Sequence, residues 1–406
     1  MIYDAIVIGA GPAGSSAALA LSRQGRRVAI VEKSEFPRRK VCGEFVSATS
    51  IALLDRLGVG EQWRNAAGPE IRRVALFSGK RRVTADMPPA SHSGFGRALG
   101  RDVLDSLLLD AARQASVEVF QPYRALTVRP DGNSSAVSIG SRDHETILRA
   151  PIVIAAHGSW EPGALPSQLP KRNHPSDLLG FKAHFQGSPL DPELMPLLMF
   201  PGGYGGMVRA DHGRLSVSCC IRRDALATIR KRHGDAAAEA LQRHLVATCD
   251  GAKEAIGTAR LDGPWLAAGP IRPGIRSRYA DDIFRVGNIA GESHPIIAEG
   301  ISMAIQAGWL LARELADLDI SDRNARQAAG RNYSAAWRAQ FSTRIRVAAI
   351  LARIALSPSA ATFAGFLAHS VPELLTIGAR LSGKASSVLD RVAEQAPAMR
   401  FARRQR

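Results

Sequence analysis

The sequence predicts an α/β protein with α+β character, in which a parallel-sheet nucleotide domain carries an inserted antiparallel sheet and is followed by helices. Three patterns lead to this prediction. Residues 2–32 comprise a β-branched run, a segment with helical spacing and a second apolar run, which is the order of a βαβ unit. Residues 178–186 and 204–221 contain alternating apolar and polar positions, as antiparallel strands do. Residues 321–406 have helical spacing interrupted by prolines.

The order of these patterns indicates that the nucleotide domain is assembled from separated segments of the chain. A chain of 406 residues is also long for a single core, so two or three packed units are expected. We assign residues 1–75, 97–175 and 276–320 to the nucleotide domain, 76–96 and 176–275 to the substrate-binding sheet domain, and 321–406 to a C-terminal helical region.

The composition is that of a folded protein in a reducing compartment. Hydrophobic residues make up 46% of the chain and charged residues 22%. The four cysteines include no C-x-x-C pair, which argues against a disulfide framework and against a zinc ribbon. A strand pattern begins at residue 2 with no basic and apolar leader before it. We therefore expect a cytoplasmic protein without a bound metal.

Positive charge is concentrated near the C-terminal end. The formal net charge is +16, and residues 321–406 hold 14 Lys and Arg against 4 Asp and Glu. Within this region, residues 338–356 have an apolar face flanked by arginines. The pattern is typical of a helical cap with a solvated basic surface, or of helices in peripheral contact with a membrane. The charge-free run 354–368 is too short to span a bilayer, and we expect no nucleic-acid partner.

A glycine-rich loop between the first strand and the first helix carries the clearest chemical signal. Residues 9–14 match G-x-G-x-x-G, and Glu32 ends the next strand. Gly9 permits the tight turn, Gly11 lets the backbone approach a pyrophosphate, and Gly14 lets helix and strand pack closely. Glu32 would accept hydrogen bonds from ribose hydroxyls and would repel a 2′-phosphate. The residues predicted to bind a dinucleotide here are Gly9, Gly11, Pro12, Ala13, Gly14, Glu32 and Lys33.

Three further stretches resemble the FAD-binding folds of the glutathione reductase type, specifically the superfamily of aromatic-ring hydroxylases, geranylgeranyl reductases and flavin-dependent halogenases. They are the loop 39–44 (RKVCGE), the helix start Arg101 with Leu104 and Asp105, and the segment 286–301. The resemblance implies a Rossmann domain of that type with FAD as cofactor. It adds as cofactor-binding residues Lys40, Cys42, Gly43, Glu44, Arg101, Gly287, Asn288, Gly291, Pro295, Gly300 and Ile301.

The chain departs from this family pattern at two positions. The ribityl-binding Asp of the family is Asn288 here, which keeps an acceptor oxygen but loses the charge, and this predicts weaker but retained FAD binding. The family's Asp-Gly pair after the central strand is His157-Gly158, which bears on how NAD(P)H would act as the transient reductant. His157 is either part of that route or a structural histidine.

Three side chains are candidates for chemistry beyond cofactor binding. Cys42 stands where the similar reductases have a cysteine close to the flavin, and otherwise it is a small buried residue. His294 precedes the proline of the flavin loop, where an imidazole could transfer a proton or simply cap the loop. Tyr204 lies on the predicted substrate sheet, although the prenyl reductases' Y-x-W-x-F-P stretch is missing around it.

The resemblance implies a small-molecule oxidoreductase and leaves its reaction open. We expect first a single-component monooxygenase that hydroxylates an aromatic or polyketide-like substrate with NAD(P)H and O₂, because only one dinucleotide loop has the full strand and helix context. The alternatives are an ene-reductase of isoprenoid chains, favoured by Cys42 and the basic apolar tail, and a halogenase or a degenerate binding protein.

Overall fold

The computed structural model describes residues 1–90, 94–142, 144–160, 162–170, 173–233, 236–384 and 388–389. In chain order the strands are β1 (Ala5–Ile8), β2 (Val28–Val31), β3 (Phe45–Val46), β4 (Arg73–Ser78), β5 (Arg81–Asp86), β6 (Arg97–Ala98), β7 (Glu118–Phe120), β8 (Arg124–Asp131), β9 (Ser134–Gly140), β10 (Glu145–Ala150), β11 (Ile152–Ala155), β12 (Leu178–Gln186), β13 (Leu194–Phe200), β14 (Gly203–Arg209), β15 (Leu215–Arg222), β16 (Arg260–Ile271), β17 (Gly274–Ile275), β18 (Tyr279–Ala280), β19 (Ile283–Arg285) and β20 (Gly291–Glu292). The α-helices are α1 (Pro12–Ser22), α2 (Ile51–Arg56), α3 (Gly60–Ala66), α4 (Arg101–Gln114), α5 (Arg223–His233), α6 (Ala237–Thr248), α7 (Asp250–Ile256), α8 (Gly300–Glu314), α9 (Arg323–Leu356), α10 (Pro358–Ser370) and α11 (Glu373–Ala379).

A six-stranded sheet forms the nucleotide domain, in the order β18-β19-β11-β1-β2-β7, and every pairing except β18–β19 is parallel. β1 is buried on both faces, which explains its uninterrupted apolar run. Ala5 and Val7 pack towards α1, α4 and α8, whereas Ile6 and Ile8 pack towards the small antiparallel sheet β10-β9-β8. The domain thus has three layers, confirming the predicted Rossmann-type architecture.

The second domain is a seven-stranded sheet in the order β16-β12-β15-β14-β13-β4-β5, antiparallel except for the parallel pair β13 and β4. Side chains alternate across it, so that Phe181 and Phe185 pack against the α5–α7 layer while Lys182 and His184 lie on the opposite face. That opposite face is covered by the C-terminal helices and borders the cofactor side of the molecule. The sheet therefore forms the wall between a helical layer and a candidate substrate space.

The observed elements extend the predicted ones in several places. β4 lies wholly in the seven-stranded sheet, so this domain begins at Arg73, three residues before the expected boundary. β13 was not predicted because Pro196 interrupts its apolar run, and β16 was not predicted because it contains Gly263, Pro264 and Gly269. Two helices, α5 and α6, follow β15 in the chain.

Helix α9 joins the two domains along its length. Its first half packs on the nucleotide domain, where the Tyr333 hydroxyl donates to the Arg285 carbonyl at 3.0 Å and Trp337 lies against Gly291. Its second half places Ala348 and Ala352 on the seven-stranded sheet. Within the described residues no single helix is long and apolar enough to cross a membrane, while α9 and residues 359–370, bent by 107°, meet that test as a pair by length and composition.

Candidate active site

The loop between β1 and α1 has the backbone geometry that the glycine motif predicts. Gly9 has a φ of +108°, and a Cβ there would come within 2.7 Å of the Ala156 carbonyl oxygen. A Cβ on Gly14 would overlap the Gly9 carbonyl oxygen, so Gly14 is required for packing rather than for ligand contact. A Cβ on Gly11 would meet no atom closer than 3.7 Å, which leaves the backbone there open to a ligand. Pro12 begins α1, where a missing N–H costs nothing.

Glu32 lies at the carboxyl end of β2 and borders a long groove of about 2000 Å³. Its carboxylate accepts hydrogen bonds from the Ala10 N–H at 2.8 Å and from the Ser34 N–H at 2.9 Å. These bonds fix the carboxylate beside the glycine loop, in the position expected for binding ribose hydroxyls. Gly9, Gly11, Pro12, Ala13 and Lys33 also line this groove.

The middle of the groove is strongly basic. Arg101, at the start of α4, is buried and makes two 2.7 Å hydrogen bonds to Asp105. Burial opposes its charge, but the Asp105 carboxylate more than offsets this and raises the pKa of Arg101. Burial, together with Arg101 and Arg38, lowers the pKa of Lys40 to about 8. The cations Arg101, Lys40 and Arg38 outnumber the neighbouring carboxylates Asp105 and Glu32. This excess of positive charge makes the region suited to a phosphate-bearing ligand.

The segment 286–301 closes the far end of the groove. Gly287 has a φ of +67° and lies against Ala13, and Ala298 is left-handed just before α8 begins. Gly300 and Ile301, the first residues of α8, line the groove, and a Cβ on Gly300 would meet nothing within 4 Å. The positive N-terminal end of α8 thus borders the space where the resemblance places the flavin. Gly291, by contrast, packs under Trp337 and does not line the groove.

A second cleft of about 1030 Å³ opens from the end of the groove and lies against the seven-stranded sheet. Its walls are mainly apolar and include Met195, Leu197, Val208 and Ile271. Gly43, Glu44, Tyr204, His294 and Pro295 line this cleft and not the groove. The two spaces share the residues Val41, Cys42, Trp160, Asn288, Gly300 and Ile301, which we call the junction.

Tyr204 and His294 form a polar pair inside the apolar cleft. The Tyr204 hydroxyl lies 3.1 Å from His294 Nδ1. Burial, and secondarily Arg353, lowers the pKa of His294 to about 4, while burial raises the pKa of Tyr204 well above its usual value. Near neutral pH both groups are uncharged, and a hydrogen bond joins the phenol to the imidazole. The two residues were predicted as candidates for separate reasons, and the fold places them in contact.

Glu292 is a site residue that the sequence reasoning missed. It is buried at the cleft wall, where Ser159 donates to it at 2.7 Å and Asn288 Nδ2 donates at 3.2 Å. Burial raises its pKa despite these donors and the nearby Arg276. The Asn288 amide is thereby oriented at the junction by Glu292. No motif spacing distinguishes this glutamate, because Ser159 and Trp160, which also donates to it, lie 133 and 132 residues away.

A buried ionic cluster holds the loop that carries Cys42. Glu44, with a φ of +63°, pairs with Lys182, accepts from His184 Nε2 at 2.8 Å and accepts from the Arg101 N–H at 3.1 Å. Burial alone would raise the pKa of Glu44, but Lys182 and His184 lower it to about 2. Lys182 and His184 were missed, although two polar residues at alternate positions of an otherwise apolar strand were a readable signal.

The remaining predicted residues have clear positions. Cys42 lies at the junction, where its Sγ accepts from the Glu44 N–H at 3.4 Å and it interacts with Arg101. Each ring nitrogen of His157 has a partner, Gly158 O at 2.9 Å and Ser167 Oγ at 2.7 Å, and the ring borders the groove. This pairing agrees with the structural interpretation of His157.

The groove, the glycine loop and the basic centre fit FAD, and they define an FAD-dependent oxidoreductase. The chain belongs to the FAD binding domain family, whose model matches residues 2–333. FAD is therefore the cofactor of this chain, as the sequence predicted.

Similar proteins include several reductases. The chain is 25% identical over 339 residues to menaquinone reductase of Mycobacterium tuberculosis, covering 78% of each chain. It is 24% identical over 401 residues to menaquinone reductase of Mycolicibacterium smegmatis, covering 94% of this chain and 91% of the other. It is 27% identical over 367 residues to digeranylgeranylglycerophospholipid reductase 2 of Methanopyrus kandleri, covering 86% and 85%.

Solved structures share the fold. A geranylgeranyl bacteriochlorophyll reductase-like protein of Thermoplasma acidophilum superposes with a TM-score of 0.70 at 20% identity, covering 98% of this chain and 97% of that one. The flavin-dependent brominase Bmp2 superposes with a TM-score of 0.73 at 18% identity, covering 97% and 99%. The architecture is therefore common to reductases and halogenases.

Replacing Gly300 by leucine should impair FAD binding without unfolding the protein. The new side chain would enter the open space at the junction, where the cofactor must pass. We expect FAD affinity to fall about 5- to 150-fold, corresponding to a steric cost of about 1–3 kcal/mol. Fluorescence titration of the apoprotein measures this. The control is Gly378→Leu, which lies on α11 and also has no neighbour within 4 Å of its Cβ. Equal FAD affinity in both variants would contradict the assignment of Gly300.

Replacing Glu44 by glutamine should leave Lys182 buried without its counter-charge. Because one partner of a buried pair is removed, we expect a loss of about 3–5 kcal/mol in the free energy of unfolding, measured by urea denaturation. The double variant Glu44→Gln, Lys182→Met should recover much of this loss. Asp131→Asn, which breaks an exposed pair with Arg149, should cost less than about 1 kcal/mol. A double variant as unstable as the single one would argue against an ionic role for the cluster.

His294 should stay neutral until the solution is strongly acidic. NMR titration of ¹³C-labelled histidines should show one midpoint at a pH of about 4 that disappears in His294→Gln. Because the unfolded chain binds this proton at higher pH, His294 should make the folded state less stable as the pH falls from about 6.5 to about 4. The variant should lose that part of the pH dependence. A midpoint near 6.5 for this resonance would show that the imidazole is not enclosed.

Proposed function

We propose that this chain is a flavin-dependent reductase that saturates a carbon–carbon double bond in an isoprenoid chain, with NAD(P)H as transient electron donor. The observation that carries the proposal is the position of Cys42 between the FAD groove and an apolar cleft. Such a cleft suits a hydrocarbon chain better than a charged or strongly polar substrate. This reaction is the ene-reduction of isoprenoid chains that the sequence left open as an alternative to hydroxylation.

The reaction needs a hydride and a proton on neighbouring carbons. FAD, once bound and reduced, supplies the hydride. The π bond is lost and two C–H bonds form, so a proton donor must lie close to the flavin. Of the six junction residues, Cys42 is the one with an acidic hydrogen. Its thiol holds the proton that the second carbon receives, and the resulting thiolate next to Arg101 is reprotonated from solvent.

The polar pair suggests how such a substrate is oriented. Tyr204 and His294 form a hydrogen-bonded polar pair within the mainly apolar lining of the cleft. A substrate with one oxygen function, such as an ether, ester or quinone carbonyl, can accept a hydrogen bond there while its chain occupies the apolar remainder. Relatives named as reductases of menaquinone and of digeranylgeranylglycerophospholipid support this substrate class, since both compounds combine prenyl chains with oxygen functions.

The proposal is tested by anaerobic turnover with a chemically reduced enzyme. The FAD-loaded protein is mixed with a geranylgeranyl lipid or with menaquinone in detergent micelles, and products are analysed by mass spectrometry after exposure to air. We expect a stable product heavier by two hydrogens, and both added hydrogens should be deuterium when the reaction runs in D₂O, because the N–H hydrogen of the reduced flavin and the thiol hydrogen both exchange with solvent. Air exposure reoxidises a quinol and so separates tail saturation from quinone reduction.

Cys42→Ser should lower the rate of this reaction about 10²- to 10⁴-fold while leaving the flavin spectrum unchanged. Cys249→Ser is the matched control, because Cys249 is buried, lines neither the cleft nor the groove, and has a pKa that burial raises. A protein that leaves both lipids intact but hydroxylates a phenol with NADPH and O₂ would refute the reductase and establish the monooxygenase.

A further inference from the structure

Helix α10 has an inverted distribution of side chains. Its outward positions carry Phe363, Phe366 and Leu367, which are 63%, 55% and 38% exposed. Its buried positions towards α9 and the sheet carry the small residues Gly365 and Ala368. A helix packed on a protein core and facing water shows the opposite arrangement, with large apolar residues inside. Something other than water is therefore expected on its outer side.

The inversion continues on the neighbouring helices. Val371, Leu374, Ile377 and Leu381 are 42–54% exposed, and Ile350 on α9 is 56% exposed. Of the fourteen exposed large hydrophobic residues in the described chain, eight lie between 350 and 381. Single exposed hydrophobics are normal, but a concentration of this kind marks an interaction surface. We call these eight residues the apolar plate.

Basic residues surround the apolar plate. Arg346 and Arg353 are exposed on the same face of α9 as Ile350, and Arg380 is exposed next to Leu381. Arg81, from β5, reaches the Thr362 carbonyl on α10 at 3.5 Å. Between residues 323 and 384 the sequence contains a single acidic residue, Glu373.

From this arrangement we infer that the apolar plate docks on the surface of a bilayer that contains anionic lipid. Aromatic and aliphatic side chains enter the boundary between head groups and acyl chains, and the arginines contact lipid phosphates. A second copy of the chain is a poorer occupant, because a two-fold contact would bring two basic rims together. The inference concerns binding and stands independently of the proposed reaction.

The docked surface lies next to the candidate substrate cleft. The inner sides of α9 and α10 share a buried cluster with Tyr204, through Ala348, Ala352 and Ala368. Arg353, on the rim of the plate, is close enough to His294 to lower its pKa. Docking would therefore bring the cleft to the side of the molecule that faces lipid.

Vesicle flotation of the FAD-loaded full chain tests the inference. Vesicles are made of phosphatidylcholine alone or mixed with phosphatidylglycerol. We expect binding to the mixed vesicles that weakens with added salt, because the arginine contacts are screened. The double variant Phe363→Ser, Phe366→Ser should bind at least ~10-fold more weakly, since two aromatic side chains lose their burial in lipid. Arg346→Gln, Arg380→Gln should reduce the preference for the anionic vesicles.

The matched control is Leu126→Ser, Ile147→Ser, which removes two exposed apolar residues from the small antiparallel sheet. It should bind vesicles as the unchanged protein does, and all variants should keep the flavin spectrum. Absence of binding to either vesicle, or equal binding by the Phe363/Phe366 variant, would overturn the inference. So would analytical ultracentrifugation showing a dimer that this variant converts to monomer, because the plate would then be a self-association surface.

Discussion

A single buried carboxylate, Glu44, joins the two domains where the cofactor groove meets the apolar cleft. It contacts Lys182 and His184 on the seven-stranded sheet and the backbone of Arg101 on the nucleotide domain. A buried carboxylate without partners is strongly unfavourable, so Glu44 is satisfied only when both domains are docked. Its left-handed backbone then sets the course of the loop that places Cys42 at the junction. Cofactor site and substrate cleft are in this way aligned by one ionic cluster.

The sequence was sufficient to predict the parts of the site that depend on local backbone geometry. Gly9, Gly14 and Glu32 lie within one βαβ unit, and the space around each glycine excludes other residues, so the motif encodes the structure directly. The Glu44 cluster was not predictable in this way, because His184 is 140 residues away and the pairing depends on how two domains meet. The same holds for Tyr204 and His294, which the sequence named for separate reasons.

The residues around Asn288 account for the amide that replaces the family's aspartate at this position. The family's aspartate would here face Glu292, whose carboxylate lies 3.2 Å from the Asn288 amide nitrogen. Two carboxylates at that distance repel each other in a buried site, whereas an amide donates to one of them. The loss of charge at position 288 is thus coupled to the presence of Glu292, because the Asn288 amide donates to this carboxyl group where an aspartate could not.

The C-terminal helices connect the outer surface to the flavin loop. Arg344 and Lys384 approach Glu299, the residue before α8, and Lys384 also donates to the Ile297 carbonyl at 2.9 Å. The C-terminal region that contacts the flavin loop on its inner side therefore carries the apolar plate on its outer side. Small residues on the inner side of α10 allow the helix to lie close to its neighbours. This close packing does not explain the large apolar residues on the outer side of the helix. Because water would favour polar residues at those outer positions, their apolar character is best explained by a surface that the helices were selected to contact.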